Sequence, residues 1–260
     1  MKVLNIGAGP PQTPIPAYYD DCDVVRLDTE AENEPDLLMD ALDLGELEAG
    51  QFDAAYCSHI LEHIYPMDLG RFLSGIRHVL TDNGFAEFRV PDGLAACRTA
   101  VEAGTLDAFC YNSPAGPVTA WDMLYGWLPF QMRFGHAMSH HSAYSAQSLA
   151  ATLNGFGFPL VYTTTGYFEL RAVGCKAQLD AEIMERIGIS DGKSSTVHPN
   201  PGAADVGAVR LIRPVAGEAL RIGPRPGDND SPTSPAARGR GAVLPSAESV
   251  RRRLRLPVVH

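Results

Sequence analysis

The chain has 260 residues, 45% of them apolar, so it is long enough for one large globular domain with a sizeable core. Acidic residues outnumber basic ones by 31 to 21, and the formal net charge of -10 argues against a protein that binds nucleic-acid backbones. The five cysteines form no CxxC pair, the N-terminus has no secretory pattern, and no run approaches the ~18 apolar residues of a membrane span. We therefore expect a soluble, cytoplasmic protein.

The first 176 residues alternate short apolar runs with helical patterns, which is typical of an α/β fold with a mainly parallel sheet. One helix begins near Met67 and ends at 82–84, and another covers 145–158. Four prolines between residues 10 and 16 leave room only for a short or distorted helix after the first strand. The predicted strands cover 3–6, 22–28, 36–41, 52–58, 85–92 and two segments of 159–176 around Gly166.

Residues 93–144 interrupt this alternation. They contain both tryptophans and several other aromatic residues without a clean period. An insertion at this place, between a strand and a later helix, is typical of a lid or a substrate wall.

The C-terminal segment, 177–260, has a different composition. It holds nine Pro, nine Gly and no Phe, Tyr or Trp, so we expect most of it to be disordered. A helix at 177–188 and an added strand at 207–214 are the expected exceptions. The basic run RRRLRLPVVH at the end is a solvated tail or, alternatively, a contact for an acidic surface.

The first strand leads into Gly7-Ala8-Gly9, and Asp28 ends the second strand. Glycines allow the backbone to approach a ligand closely, and a carboxylate at this distance suits the two hydroxyls of a ribose. The third glycine of a dinucleotide fingerprint is replaced by Pro10-Pro11, so a pyrophosphate site is poorly supported. The alternative is that Gly-Ala-Gly is only a tight turn.

Asp40 and Ala41 follow the third predicted strand. A carboxylate here can accept a hydrogen bond from an adenine amino group, while the next backbone N–H donates to a ring nitrogen. An Asp after a strand also serves as a turn former or a helix cap. The adenine role therefore depends on whether the fold places Asp40 beside Asp28.

The segment SHILEHI, residues 58–64, comes directly after the fourth strand. On a long helix His59 and His63 would share one face, and H-x-x-E-H is a zinc pattern of metallopeptidases with Glu62 as the base. Because the motif starts at a strand end and Pro66 would break a helix soon after it, we disfavour zinc and predict no metal. Packing and capping roles for Glu62 and His63 are the simpler alternative.

Six segments taken in order resemble the class I S-adenosylmethionine-dependent methyltransferases, specifically the small bacterial type with an SHxLEH motif after the fourth strand. They are VLNIGAGP, RLDTE, MDALDL, FDAAYCSHILEHI, RHVLTDNG and FAEFRVPD. The resemblance extends to Lys176, which defines a methyltransferase domain at 1–176 with the insertion at 93–144. It implies a Rossmann-like sheet of seven strands with the last antiparallel, and S-adenosylmethionine across the carboxyl ends of the first, second and fourth strands.

The same resemblance implies roles for particular residues. Gly7, Ala8 and Gly9 would face the methionine and ribose, and Asp28 the ribose hydroxyls. The remaining implied cofactor contacts are Asp40 and Ala41 at adenine, Cys57, Ser58 and His59 beneath the sulfonium, and Leu61 nearby. Asn5 departs from the family, because many members have an acid there.

We therefore predict an S-adenosylmethionine-dependent methyltransferase that acts on a small-molecule or sugar acceptor, with a hydroxyl as the nucleophile. His59 and His141 are the candidate general bases, and His136 and His140 compete with His141. The aromatic residues expected to line the acceptor pocket are Tyr111, Trp121, Tyr125, Trp127 and Tyr144. The alternatives are a cofactor-binding module without turnover and an NAD-dependent Rossmann oxidoreductase. Neither membrane nor nucleic acid is an expected partner, and the sequence does not indicate an oligomeric state.

Overall fold

The computed structural model describes residues 1–189 and the backbone of a further strand at 196–199. These residues belong to one compact unit, Met1–Gly207. The strand predicted at 207–214, the basic run at the C-terminal end and most of the segment predicted to be disordered lie outside the described residues.

Strands in the described part of the chain form one large sheet and one small hairpin. They are β1 (Lys2–Ile6), β2 (Asp23–Asp28), β3 (Leu37–Leu38), β4 (Phe52–Ser58), β5 (Leu80–Pro91), β6 (Phe109–Ser113), β7 (Gly116–Thr119), β8 (Leu160–Thr165), β9 (Glu169–Cys175) and β10 (Thr196–Pro199). The large sheet has the order β10-β8-β9-β5-β4-β1-β2-β3, and β6 pairs with β7.

The first five strands form the parallel part of the large sheet. β1 lies between β2 and β4, with β3 beyond β2 and β5 beyond β4. β9 is antiparallel to both β5 and β8. The predicted α/β fold, with seven strands of which the last is antiparallel, is therefore confirmed. An eighth strand, β10, pairs antiparallel with β8 and was not predicted.

Some helices connect the strands, and others lie within the insertion, 93–144. They are α1 (Leu69–Val79), α2 (Gly93–Ala103), α3 (Ala120–Tyr125), α4 (Leu128–Phe134), α5 (Ala146–Gly155) and α6 (Ala181–Arg186). The helix between β1 and β2 is a three-residue 3-10 helix, Ala17–Tyr19, which confirms the short or distorted helix predicted from the prolines. α6 lies inside the helix predicted at 177–188. None of the described helices is both long enough and apolar enough to cross a membrane.

The boundary between α1 and β5 differs from the prediction. The helix ends at Val79, and Leu80 already belongs to β5, so the Asp82-Asn83-Gly84 segment lies inside the strand. Leu80 pairs with Phe52 of β4 across a register shift. A pairing partner that is distant in sequence thus overrides the local signal for a helix end.

The third strand is also shorter than the predicted 36–41. β3 contains only Leu37 and Leu38, because the backbone turns into a 3-10 helix, Ala41–Glu46. Asp40 is the N-cap of that 3-10 helix, and its Oδ1 accepts a hydrogen bond from Leu42 N at 2.9 Å. The helix-cap interpretation of Asp40 is therefore confirmed.

The large sheet is covered on both faces, and adjacent residues of β1 show the alternation. Leu4 and Ile6 pack in one buried cluster with α1 and α5, whereas Val3 packs in a second cluster with Tyr19 and Tyr56. Leu179, Ile187 and Ile189, which flank α6, are at most 5% exposed and belong to the second cluster.

The insertion has a small core of its own. Buried apolar side chains from α2, the β6-β7 hairpin and α3 pack together, among them Ala96, Cys110, Val118 and Met123. α3 begins with a capping box in which Thr119 and Asp122 bond each other's backbone N–H groups.

Candidate functional site

The register of the parallel strands brings the predicted cofactor residues to one edge of the sheet. Ile6 lies opposite Leu27 of β2 and opposite Cys57 of β4. The residues that come after these three positions begin the glycine loop, end β2 at Asp28, and end β4 at Ser58. This edge is the carboxyl end of parallel strands, where open α/β sheets bind ligands.

The glycine loop after β1 is held tightly against the rest of this edge. Gly7 and Gly9 have positive φ angles of +68° and +62°, which side chains other than glycine rarely adopt. A Cβ on Gly7 would lie 2.2 Å from Cδ1 of Ile60, so no larger residue fits without movement of Ile60. Gly7 N and Ala8 N both donate to Leu27 O, at 2.9 and 3.0 Å. The backbone of the loop therefore packs closely against Ile60 and is bonded to β2.

Asp28 is 7% exposed and fixes two backbone segments. Its Oδ2 accepts from Gly9 N at 2.8 Å, and its Oδ1 accepts from Glu30 N at 3.0 Å. Each carboxylate oxygen keeps a further lone pair, so the group can still accept hydrogen bonds from a ligand.

Arg26 completes the loop, and its role was not predicted from the sequence. Its guanidinium donates to three backbone carbonyl oxygens, those of Gly9, Asn33 and Glu34, at 2.6 to 2.8 Å. A basic residue two positions before the acid at the end of β2 was the available signal.

Asp40 follows β3 directly beyond the point where that strand pairs with Asp28, so the two aspartates come to the same edge of the sheet. Leu38 pairs with Asp28, and Met39 N donates to Asp28 O at 3.1 Å. Ala41 is 8% exposed and starts the 3-10 helix that Asp40 caps. Asp40 therefore caps the 3-10 helix and also lies at the same edge of the sheet as Asp28.

The end of β4 contributes groups of different kinds. Cys57 and Leu61 are completely buried in the main core, and burial raises the pKa of the Cys57 thiol well above its usual value. Ser58 is half-buried and His59 is exposed at the edge. His59 has a φ of +54°, and its backbone N donates to Arg89 O at 2.8 Å. The motif therefore forms a sharp turn and then a 3-10 helix, Leu61–His63, and not the long helix of a metallopeptidase.

Two carboxylates hold the His59 ring. Its Nδ1 is 3.2 Å from Glu62 Oε1, and its Nε2 is 3.4 Å from Glu169 Oε2. Although about half of the His59 side chain is exposed, the protein groups around the ring remove part of its hydration, which by itself would lower the pKa. The hydrogen bonds to Glu169 and Glu62 outweigh this effect and raise the pKa of His59 to about 10. A ring that donates from both nitrogens is an imidazolium, which has no lone pair for a proton.

A buried group of charged and phenolic side chains, named here the Glu87 cluster, lies behind this edge. It comprises Tyr18, Tyr19, Glu87, Arg89 and Arg171. Glu87 is completely buried and accepts from all four of the other members at 2.7 to 3.2 Å. Arg89 also bonds Glu169 at 3.1 Å, so the cluster continues to His59. The cluster was not predicted from the sequence, although Glu87 and Arg89 interrupt an apolar strand.

The insertion reaches the turn after β4 through His141. The backbone N of His141 donates to Glu62 O at 2.7 Å, and its ring stacks on Tyr65 with centroids 3.7 Å apart. The fold therefore brings His141 to the SHILEHI segment, which contains the other predicted catalytic histidine, His59. Tyr144, expected in the acceptor pocket, is instead 6% exposed and packs in the main core.

A cavity of about 500 Å³ lies elsewhere, between the 3-10 helix after Asp40 and α1. Its lining includes Asp43, Glu46, Arg71 and His78. Its lining does not include Gly7, Asp28 or His59.

Comparisons with solved structures returned several methyltransferases. The chain is 17% identical to the 1,6-didemethyltoxoflavin-N1-methyltransferase of Burkholderia thailandensis, with 68% of this chain and 71% of that chain covered and a TM-score of 0.42. A SAM-dependent methyltransferase from Archaeoglobus fulgidus is 13% identical, with 67% and 85% covered and a TM-score of 0.43. The PH0226 protein from Pyrococcus horikoshii is 14% identical, with 66% and 80% covered and a TM-score of 0.45. Likenesses at this level do not establish a substrate.

A search of curated proteins gave no significant match. The profile of one protein family, described as "Methyltransferase domain", matches residues 1–163. That match covers more than half of the chain and includes β1 to β5, the glycine loop, Asp28 and the turn after β4. The chain therefore belongs to the methyltransferase domain family.

Proposed function

We propose that this protein transfers a methyl group from S-adenosylmethionine to a small-molecule or sugar acceptor, with a hydroxyl as the nucleophile. One observation carries the proposal: the register of β1, β2 and β4 gathers the glycine loop, Asp28, Asp40 and His59 at one sheet edge. The family match supports the reaction type, and the net charge of -10 favours an acceptor other than nucleic acid.

Each predicted residue has a role that its position supports. The Asp28 carboxylate would accept from the ribose hydroxyls, and Asp40 with the backbone of Ala41 would bind adenine. The backbone of Gly7, Ala8 and Gly9 would face the methionine and ribose, with Ser58 and His59 near the sulfonium. Cys57 and Leu61 would form the apolar floor below them, because both are fully buried. The cofactor supplies an already activated methyl group, so the protein contributes mainly position and orientation.

The acceptor side would be formed by the insertion, 93–144. His141 is our candidate base for a hydroxyl acceptor, because it lies at the turn after β4 and its ring is held flat against Tyr65. His59 is better suited to a positioning role, because both of its ring nitrogens are bonded to carboxylates and leave no lone pair to accept a proton. A general base contributes about 10²–10⁴-fold to such a reaction.

Isothermal titration calorimetry with S-adenosylmethionine and S-adenosylhomocysteine tests the proposal. We expect both to bind, and we expect Asp28→Ala to weaken binding by about 10–100-fold, the effect of losing hydrogen bonds to a charged group. Asp53→Asn is the matched control, because Asp53 bonds Lys2 N at the start of β1, the opposite edge of the sheet. Equal affinities in these two variants would contradict the proposed site.

The alternatives have distinct outcomes in the same assay. Binding of NAD without binding of either sulfur ligand would support an oxidoreductase, although the third phosphate-contacting glycine is missing. Binding of S-adenosylmethionine without product from pools of hydroxylated acceptors, and equally in His59→Ala and His141→Ala, would support a module without turnover. Methylated product that is lost in His141→Ala, with cofactor binding retained, would support the proposed transferase.

A further inference from the structure

Three side chains with metal-ligating atoms meet where the insertion touches the turn after β4. Glu62, His63 and His140 each offer one such atom, and these atoms lie within 4.8 Å of one another. Glu62 and His63 belong to the 3-10 helix Leu61–His63, whereas His140 comes after a 3-10 helix of the insertion, Gly135–Met138. The cluster therefore joins two separate parts of the fold.

The second carboxylate oxygen of Glu62 has no hydrogen-bond partner among residues 1–189 and 196–199, the part of the chain that the structure describes. The residue is 1% exposed, and its Oε1 bonds the His59 ring. Within the described part of the chain, Oε2 is buried and has no hydrogen-bond partner. A buried acceptor without a partner costs free energy, so such an atom in a folded protein marks a place where a water molecule or an ion binds.

Both imidazole rings are oriented by the backbone. Nδ1 of His63 lies 3.0 Å from Ser139 O, and Nδ1 of His140 lies 2.9 Å from Met123 O. A carbonyl oxygen only accepts, so each Nδ1 carries the proton and each Nε2 keeps its lone pair. Histidines that bind metals typically donate their other ring nitrogen to a carbonyl or carboxylate in this way. The two rings are in edge-to-face contact, with centroids 4.9 Å apart.

We propose that Glu62, His63 and His140 form a binding site for a divalent transition-metal ion of the Zn²⁺ type. Two imidazoles and one carboxylate suit Zn²⁺, whereas Mg²⁺ and Ca²⁺ prefer oxygen ligands alone. Three protein ligands leave a fourth position for water or another small ligand. Donor atoms at ~2.0–2.1 Å from a tetrahedral Zn²⁺ are about 3.4 Å apart. The three ligand atoms, which lie within 4.8 Å of one another, would therefore move together by up to about 1.4 Å.

This site differs from the zinc pattern considered for the sequence. That pattern pairs His59 with His63 on a helix, but here His59 is held by Glu62 and Glu169 and the segment is not a long helix. His140 replaces His59 as the second imidazole, and Glu62 is a ligand instead of a base. The proposal does not depend on methyl transfer, because it concerns only these three side chains.

Metal content and cobalt spectroscopy test the site directly. Full-length protein without a histidine tag is stripped with a chelator, dialysed, and titrated with Zn²⁺ or Co²⁺. We expect one equivalent to bind, and we expect Co²⁺ to give visible absorption of low-symmetry coordination. Replacing a residue that only hydrogen-bonds a metal ligand weakens metal binding by about 10–100-fold. Because His140 and Glu62 would be ligands themselves, His140→Ala and Glu62→Gln should each weaken Zn²⁺ binding by more than that.

His78→Ala is the matched control, because His78 lies at the exposed end of α1 and bonds Leu47 O. It should bind Zn²⁺ as wild type does. Circular dichroism and titration with S-adenosylhomocysteine are measured for every variant, so that unfolding and loss of the cofactor site are separated from loss of metal. No stoichiometric binding by the wild type, or equal affinities in folded His140→Ala, folded Glu62→Gln and His78→Ala, would overturn the proposal.

Discussion

Replacing the buried carboxylate of the Glu87 cluster should destabilise the protein strongly. Glu87→Gln keeps the shape of the side chain but removes its negative charge. The side chains of Arg89 and Arg171, which are 26% and 14% exposed, would then lose the carboxylate that compensates them. Two charged groups with little access to water would remain next to a neutral amide.

The size of the effect depends on the burial of each partner. Removing one member of a fully buried ion pair costs about 3–5 kcal/mol. The arginines here keep some contact with water, and Arg89 retains Glu169 as a partner, so the cost is about 1 kcal/mol lower than for a fully buried pair. We expect a loss of about 2–4 kcal/mol in the free energy of unfolding.

Urea unfolding at pH 7, monitored by circular dichroism, measures this change through the midpoint and the slope of the transition. Asp82→Asn is the control, because Asp82 is fully exposed and pairs with Lys176 only at 3.8 Å, so no measurable change is expected. A Glu87→Gln variant within about 1 kcal/mol of wild type would refute the reasoning, because an uncompensated buried charge cannot cost so little.

Three further changes test other parts of the structure. Gly7→Ala should lower the thermal unfolding midpoint more than Gly104→Ala does, because both glycines have a φ near +70° but only at position 7 would the new Cβ meet Ile60. Equal shifts of the midpoint in the two variants would argue against this close contact. Burial and Glu87 raise the pKa of Tyr18 to about 12, so the stability that this residue contributes is present below pH 10 and is lost between pH 10 and 12. Urea unfolding at stepwise pH should therefore show a less steep fall in stability over that range for Tyr18→Phe than for wild type. In urea unfolding, Leu73→Ala should lower the free energy of unfolding by about 2–5 kcal/mol because Leu73 is completely buried on α1, whereas Val101→Ala should change it little because Val101 is 81% exposed on α2. Similar losses in the two variants would contradict the assigned core.

Strands of the parallel half could be predicted because each is a short apolar run that is bounded by a turn signal. VLNI and FDAAYCS are examples, and both become central strands of the sheet. The end of α1 could not be predicted in the same way. Leu80 continues the apolar face of the helix, and only its pairing with the distant Phe52 makes it part of β5.

The candidate site was predictable where it lies at strand ends and hidden where it depends on distant partners. The glycine loop and Asp28 stand at fixed places after β1 and β2, so a parallel sheet brings them together. Glu87 meets Tyr18, which lies 69 residues earlier, and Arg171, which lies 84 residues later. The spacing of neighbouring residues in the sequence does not predict such contacts, and it does not predict the contact region between His140 and Glu62 either.

The separate small core of the insertion has a consequence for how this protein can change over evolutionary time. Ala96, Cys110, Val118 and Met123 pack with one another and not with the side chains beneath the glycine loop. Substitutions inside this small core would be absorbed locally and would leave the carboxyl edge of the sheet undisturbed as long as His141 keeps its contact with Glu62. Relatives could therefore diversify what they recognise while inheriting an unaltered donor-binding half.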